Sequence, residues 1–255
     1  MFLGRGVGGD SWRRLESKLL MVDHQLNTLR IYKMLAEMRA EWGGALVFCC
    51  GTEAMRGGIA PAASIAGAAT LALVDDGHEA KKAFRRGEVD FIVNTLDEAL
   101  RALKNEVRQK RPLSVALVSD VDAAVAEMVE RGVQPDEMVS VGELPQVVRA
   151  LMDRGAPLRE MDAETRTMMQ VRGYSYDEYF VETPTATKMR EVDARLLRLM
   201  PKDEMVRRRW VEKAAQYLRG ASDGRWVYLD EGEAGLLESE GFKLRSPEGL
   251  QPTAP

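Results

Sequence analysis

The chain is poor in cysteine and histidine, and it lacks a membrane-length apolar run, a basic excess and a clean dinucleotide fingerprint. Only 2 Cys and 2 His occur in 255 residues. Cys49 and Cys50 are adjacent, so they form no disulfide framework and suit a reducing cytoplasm. His24 and His78 have neither zinc-site nor triad spacing, and no metal is expected. No run approaches the roughly 20 apolar residues that a membrane span requires. The first residues, MFLGRGVGGDSWRRLE, hold no apolar core of signal-peptide length. The expected location is therefore cytoplasmic, with no membrane partner. Lys and Arg number 36 against 40 Asp and Glu, a net charge of −4. That balance argues against nucleic acid as the main partner.

What is present is the composition of a globular protein. At 45% hydrophobic residues the chain can bury a substantial core, as one large domain or a domain with an appendage. Residues 1–10 are glycine-rich and are expected to be flexible. A helical pattern runs over residues 11–42, with Leu15, Leu19, Leu26, Leu29, Ile31, Leu35 and Met38 at helical spacing, and Gly43-Gly44 stop it. Apolar runs at 45–50, 70–74, 89–93, 113–118 and 138–141 then predict short buried strands. Between them, residues 61–68, 78–86, 96–110 and 121–131 carry helical patterning. Such alternation predicts an α/β fold: a three-layer, Rossmann-like, mainly parallel sheet with helices on both faces. It occupies residues 45–155, and the last helix of the run covers 144–154.

Residues 156–187 lack periodicity and read as an excursion or interaction arm, with Met161, Met168, Met169 and Tyr174 as its expected buried contacts. Helices are expected over 188–199 and 202–218, a strand at 225–229, a short helix at 234–240, and a polar tail from 243. These elements add an N-terminal helix and a C-terminal helical segment to the core. The first helix and the arm carry apolar surface beyond the needs of the sheet, which suggests a homodimer.

The most informative stretch is residues 48–76, FCCGTEAMRGGIAPAASIAGAATLALVDD. Strand, glycine-containing turn, helix and acid-terminated strand follow the order of a dinucleotide-binding βαβ unit, in which phosphate rests on a helix N-terminus. The turn holds Gly51, Thr52, Arg56, Gly57 and Gly58 but no G-x-G-x-x-G. The glycines either admit a pyrophosphate or serve the turn and close helix packing. Arg56 either clamps a phosphate or fills space, and Glu53 opposes an anion. Asp75 stands eighteen residues beyond Gly57, near the spacing of about 20 at which a carboxylate accepts from ribose hydroxyls. Ser119 and Asp120 follow the fourth predicted strand, at the sheet edge where open α/β sheets bind ligands; a helix N-cap explains them equally well. Cys49 and Cys50 are packing residues unless a base accompanies them, and none is evident.

Several segments in order resemble the urocanase (urocanate hydratase) family. They are TLRIYKMLAEMRAEWGGALVFCCG, GGIAPAASIAGAATLALVDD, VDFIVNTLDEALRALK and PLSVALVSDVDAAVAEMVERGVQPDEMVS, followed less closely by VRRRWVEKAAQYLRGASDGRWVYLDEG. The resemblance covers residues 28–142 well and 190–235 weakly. It implies a central NAD-binding domain, with NAD as the electrophile in a hydratase (lyase) that adds water to an unsaturated imidazole-type substrate. Gly51, Thr52, Arg56, Gly57, Gly58, Asp75, Ser119 and Asp120 are then the expected cofactor-binding residues. The family's catalytic residues lie largely in flanking domains, so a second polypeptide or a dimer mate would complete the site.

The departures are specific. The family's Gly-Leu-Gly-Gly-Met-Gly-Gly run aligns with Gly51 to Gly58, where Glu53 and Arg56 intrude. Its ribose-binding Glu maps to Asp75, an Asn to Asp120, and an Asp-Gln-Thr-Ser segment to Ser140-Val141-Gly142-Glu143. Its late Asp-Tyr-Gly-Asn-Asn becomes Asp230-Glu231-Gly232-Glu233-Ala234, and its cysteine near the nicotinamide has no counterpart. Carboxylates in place of neutral donors disfavour a pyrophosphate. Two readings follow: a urocanase-like NAD-dependent hydratase or a subunit of one, and a re-purposed domain that binds another small ligand or a protein partner.

Overall fold

Apolar runs alternating with half-apolar segments build a six-stranded parallel sheet in the computed structural model, which describes residues 9–51, 57–161, 176–183, 185–218 and 224–247. The chain enters through a long helix, α1 (Gly9–Met38), and the Gly43-Gly44 turn. It then alternates through β1 (Leu46–Cys50), α2 (Ile59–Ala66), β2 (Ala69–Val74), α3 (Gly77–Arg86), β3 (Phe91–Val93), α4 (Leu96–Arg108), β4 (Leu113–Val118), α5 (Val121–Glu130) and β5 (Glu137–Ser140). A 3₁₀ turn (Gln146–Val148) leads into α6 (Arg149–Asp153), and β6 (Leu158–Glu160) closes the sheet. The helix expected over 144–154 is thus a 3₁₀ turn followed by a short α-helix, because Pro145 precedes it and Gly155 ends it.

The strand order is β3-β4-β2-β1-β5-β6, and every pairing is parallel. Period-two alternation explains why the central strands read as unbroken apolar runs. Val47 and Cys49 of β1 face a core shared with α1 and α2, while Phe48 and Cys50 face a second core shared with α4, α5 and α6. All six residues of β2 are buried. The sheet is Rossmann-like, with helices on both faces.

The remainder forms a second layer outside α2. It comprises β7 (Asp177–Glu182), α7 (Ala186–Leu199), α8 (Met205–Tyr217), β8 (Gly224–Leu229), α9 (Glu231–Ser239) and β9 (Lys243–Arg245). The strand expected at 225–229 does not join the large sheet. It lies in a separate antiparallel sheet of order β8-β7-β9. Residues 156–187 supply β6 and β7, and Met161 is buried; Met168, Met169 and Tyr174 lie outside the described residues.

α1 and α8 join the layers. Gln25 of α1 accepts from the Trp226 N–H at 2.5 Å, and the Trp210 indole N–H donates to the Trp226 carbonyl at 2.8 Å. Trp210 and Trp226 are among the largest fully buried side chains, in the same core as Val47 and Ala72 of the large sheet. From Leu26 to Leu35, the apolar positions of α1 spend their surface inside this core. No helix among the described residues is long and apolar enough to cross a membrane.

Candidate functional site

Connections in the large sheet diverge at β1. From β1 the chain passes through α2 to β2 on one side, whereas β5, paired on the other side of β1, continues outward to β6. Open parallel sheets bind ligands in the crevice that such a reversal leaves at the carboxyl ends of the strands. Two glycines border it. Gly51 follows Cys50 with φ +85°, and its N–H donates to the Leu73 carbonyl at 2.9 Å. Gly142 follows β5 with φ +94°, and the Ser140 hydroxyl donates to its carbonyl at 2.7 Å. A Cβ built on either glycine meets no atom of the described residues within 4 Å. Open space beside both backbones is what a ligand lying against them requires.

The other residues named from the sequence separate into those that face this edge and those already engaged. Thr52 and Arg56, like Glu53, lie outside the described residues. Gly57 and Gly58 are buried, and Gly58 is the N-cap of α2 with φ +79° and no side-chain cap. A Cβ at Gly58 would stand 2.2 Å from Thr28 Oγ1 and 3.1 Å from Thr28 Cα. Glycine here lets α2 approach α1, a packing function of the kind weighed against phosphate binding above. Asp75 is exposed just past β2 and makes no hydrogen bond or ion pair among the described residues, while its neighbour Asp76 caps α3 through the His78 N–H at 2.7 Å. Ser119 is half-buried, with its N–H on the Val74 carbonyl at 3.0 Å, which ties the ends of β4 and β2 together. Asp120 caps α5, accepting from the Ala123 N–H at 2.8 Å. Gly51, Asp75 and Ser119 therefore share one sheet edge, and Asp120 stands there with its carboxylate occupied.

A cleft of about 530 Å³ adjoins the same edge beside β5 and β6. Glu143, Pro145, Arg149, Met152, Asp153 and Glu160 are among its walls. Sequence reasoning reached only its first residue, Glu143, through the segment 140–143; Arg149 gave no signal because a lone charge at the start of a short helix, α6, reads as ordinary surface. Acidic side chains thus predominate around the crevice.

Burial disfavours the thiolate of both cysteines. Burial pushes the Cys49 thiol far up, with adjacent Cys50 adding to the effect, and it pushes Cys50 up to about 11. Both stay protonated at neutral pH. His24 approaches Glu88 through Nε2 at 3.0 Å and Thr28 Oγ1 through Nδ1 at 3.4 Å. By residue type this resembles a nucleophile–base–acid series. Thr28 is fully buried, however, and donates to the His24 carbonyl at 2.8 Å inside its own helix. The histidine is a strut between α1 and the turn after α3, its pKa lowered chiefly by burial, against the Glu88 carboxylate. No cluster of His, Cys, Asp and Glu among the described residues could hold a metal ion.

Residues 28–148, just under half of the chain, match the family described as the urocanase Rossmann-like domain. The match begins at Thr28, against which Gly58 packs, and ends at Val148 in the wall of the cleft, so it takes in the crevice and each of the edge residues above. The chain carries a urocanase Rossmann-like domain.

Proposed function

We propose that the protein binds NAD in the crevice between the carboxyl ends of β1 and β5, and that it acts as a urocanase-like hydratase or as a subunit of one. The reading is carried by the open backbone at Gly51 and Gly142 on either side of the strand reversal in a domain of this family. Gly51 and Gly142 would lie against the pyrophosphate, Asp75 would accept from ribose hydroxyls, and Ser119 would donate to the far end. When bound, NAD would supply an electrophilic nicotinamide ring. The protein's own part is to orient and shield it, with a second copy or a partner chain completing the substrate side. A cytoplasmic location belongs to the same proposal.

The test is thermal unfolding of the full chain with NAD. A ligand at a hundredfold over its Kd adds about 2.7 kcal/mol to stability, an easily measured shift in melting temperature. Asp75→Ala, at an exposed position with no partner among the described residues, weakens that binding about tenfold, the usual scale for a charge-assisted hydrogen bond. Absence of any shift at saturating NAD removes the cofactor from the proposal.

A second reading, a re-purposed domain for another small ligand or a protein partner, is favoured by Gly58 and Asp120, both fully accounted for without a ligand. Nucleotide retained in a native mass spectrum of the purified protein would sink it. The same spectrum reads subunit count, and a monomeric mass removes the homodimer.

A further inference from the structure

The opposite edge of the large sheet carries a second cleft, of about 290 Å³, at the amino ends of β1, β2 and β4. Its walls come from the segments that precede those strands (Gly43, Gly67 and Pro112), from Lys110, and from one face of α8. On that face Arg209, Lys213 and Tyr217 recur every fourth residue and point into the same space. We infer that this cleft is a binding site for a small phosphate monoester, held by Lys110, Arg209 and Lys213 with the Ser64 and Tyr217 hydroxyls as further donors.

Charge is the first support. Three cations line the cleft against one carboxylate, Glu41, which is 82% exposed and only 4.0 Å from Arg209 Nη1. The excess of two positive charges matches a phosphate monoester dianion. Lys110 and Lys213 have no ion-pair partner among the described residues. The second support is the spacing of Arg209 and Lys213. Like charges four residues apart on a helix repel and are mildly destabilising, and a bound anion reverses the sign of that interaction. Complementing the carbonyls that end α2 gives Arg209, which packs against the C-cap Gly67, a structural role, but it does not call for Lys213 one turn further along α8.

The third support is independent of charge. Ser64, a residue of the wall, is 3% exposed, and its hydroxyl is buried with no hydrogen-bond partner among the described residues. Such an unpaired group costs roughly 1–3 kcal/mol, and a phosphate oxygen would relieve that cost once a small shift of the wall exposes the hydroxyl to it. Arg209 also reaches in closely: its Nη2 lies 2.8 Å from where a Cβ at Gly67 would stand, against the left-handed C-cap of α2 at φ +106°. Ile65 and the Tyr217 ring supply apolar wall for the carbon skeleton of a monoester.

The experiment is thermal unfolding of the full chain with inorganic phosphate and with glycerol 3-phosphate, each against sodium chloride at matched ionic strength. The expected result is a saturable rise in melting temperature that chloride does not give, larger for the monoester. Lys213→Ala, at an exposed position, weakens half-saturation about tenfold with the unliganded melting temperature unchanged, and Glu41→Gln strengthens it. Sedimentation with phosphatidylcholine vesicles containing phosphatidic acid separates a lipid headgroup from a soluble monoester; binding to vesicles but not to the soluble phosphates overturns the proposal. So does an equal response to chloride, or a Lys213→Ala chain that binds as tightly as the parent. NAD binding at the opposite edge is untouched by Lys213→Ala, so the two sites fail or survive separately.

Discussion

At the scale of single residues, the site region shows how one glycine can be claimed by packing. Gly58 falls in the loop where a dinucleotide fold keeps small residues, yet the group it admits is the Thr28 side chain. Gly58→Ala would force a left-handed backbone on alanine and drive its methyl into Thr28. Backbone strain and overpacking each cost about 1–3 kcal/mol, so a loss of about 2–4 kcal/mol in urea unfolding is expected. A change under about 0.5 kcal/mol, the usual scatter of surface substitutions, would show that α1 is not seated there. Cys50 offers a second check. With its thiol raised to about 11 from 9.0, the thiolate fraction at pH 8 falls about 100-fold. Alkylation by iodoacetamide in the folded protein should therefore be at least that much slower than in 8 M urea, and equal rates would mean that the end of β1 is open to solvent. The sequence offered packing as a role for both residues but could not name what they pack against. Gly58 reads as a phosphate-loop glycine until its neighbour in space, thirty residues earlier in the chain, is known.

At the scale of elements, legibility follows burial. β1, β2 and β4 were plain in the sequence because strands covered on both faces are continuous apolar runs, and α4 was plain because Thr95 caps it and its Leu96, Ala99 and Leu103 face the core. β6 and β9 were not, since LRE and KLR are three residues long at sheet edges and carry mostly exposed charge. β7, DEYFVE, hides its strand character behind three acids, one of which, Glu178, is held by a bidentate Arg30 from α1. The same preference for paired buried charge locks α8 to α9. Arg207 donates to Glu233 from both terminal nitrogens, at 2.6 and 3.0 Å, and to the Tyr228 carbonyl at 2.9 Å. It also pairs with Glu204 and lies 3.9 Å over the Tyr176 ring. Glu233 additionally closes the capping box that starts α9 with Asp230. Removing one partner of a buried pair leaves the other uncompensated, at about 3–5 kcal/mol. Glu204 remains for Arg207, so Glu233→Ala is expected to cost about 3 kcal/mol, while Arg207→Met with Glu233→Leu costs less than the single change. A double variant weaker than Glu233→Ala would show that the pair is worth more than its desolvation.

At the scale of the whole molecule, charge and core are distributed in opposite ways. Charge is polarised across the large sheet: Asp75, Asp76, Asp120 and Glu143 gather at the carboxyl edge, where open α/β sheets bind ligands, and Lys110, Arg209 and Lys213 at the other. Sequence order alone cannot show this, because each edge collects residues from segments separated by helices. The core, by contrast, is shared. Val47 and Ala72 of the parallel sheet belong to the same buried cluster as Val181 and Val227 of the antiparallel one, with Trp42, Trp210 and Trp226 between them. Detaching the small sheet would expose the faces of α1 and α8 and strip Gln25 of both its partners, the Trp226 N–H and the Gly224 carbonyl. Burial of one or two large aromatic side chains is worth several kcal/mol, comparable to the stability of a whole domain. The two sheets are therefore expected to unfold together. Urea titration followed by tryptophan fluorescence, which reports the junction, and by far-UV circular dichroism, which is dominated by the helices around the large sheet, should give one midpoint. A fluorescence transition completed at lower urea than the loss of ellipticity would mean that the antiparallel layer is a separate unit resting on an independently stable Rossmann-like domain.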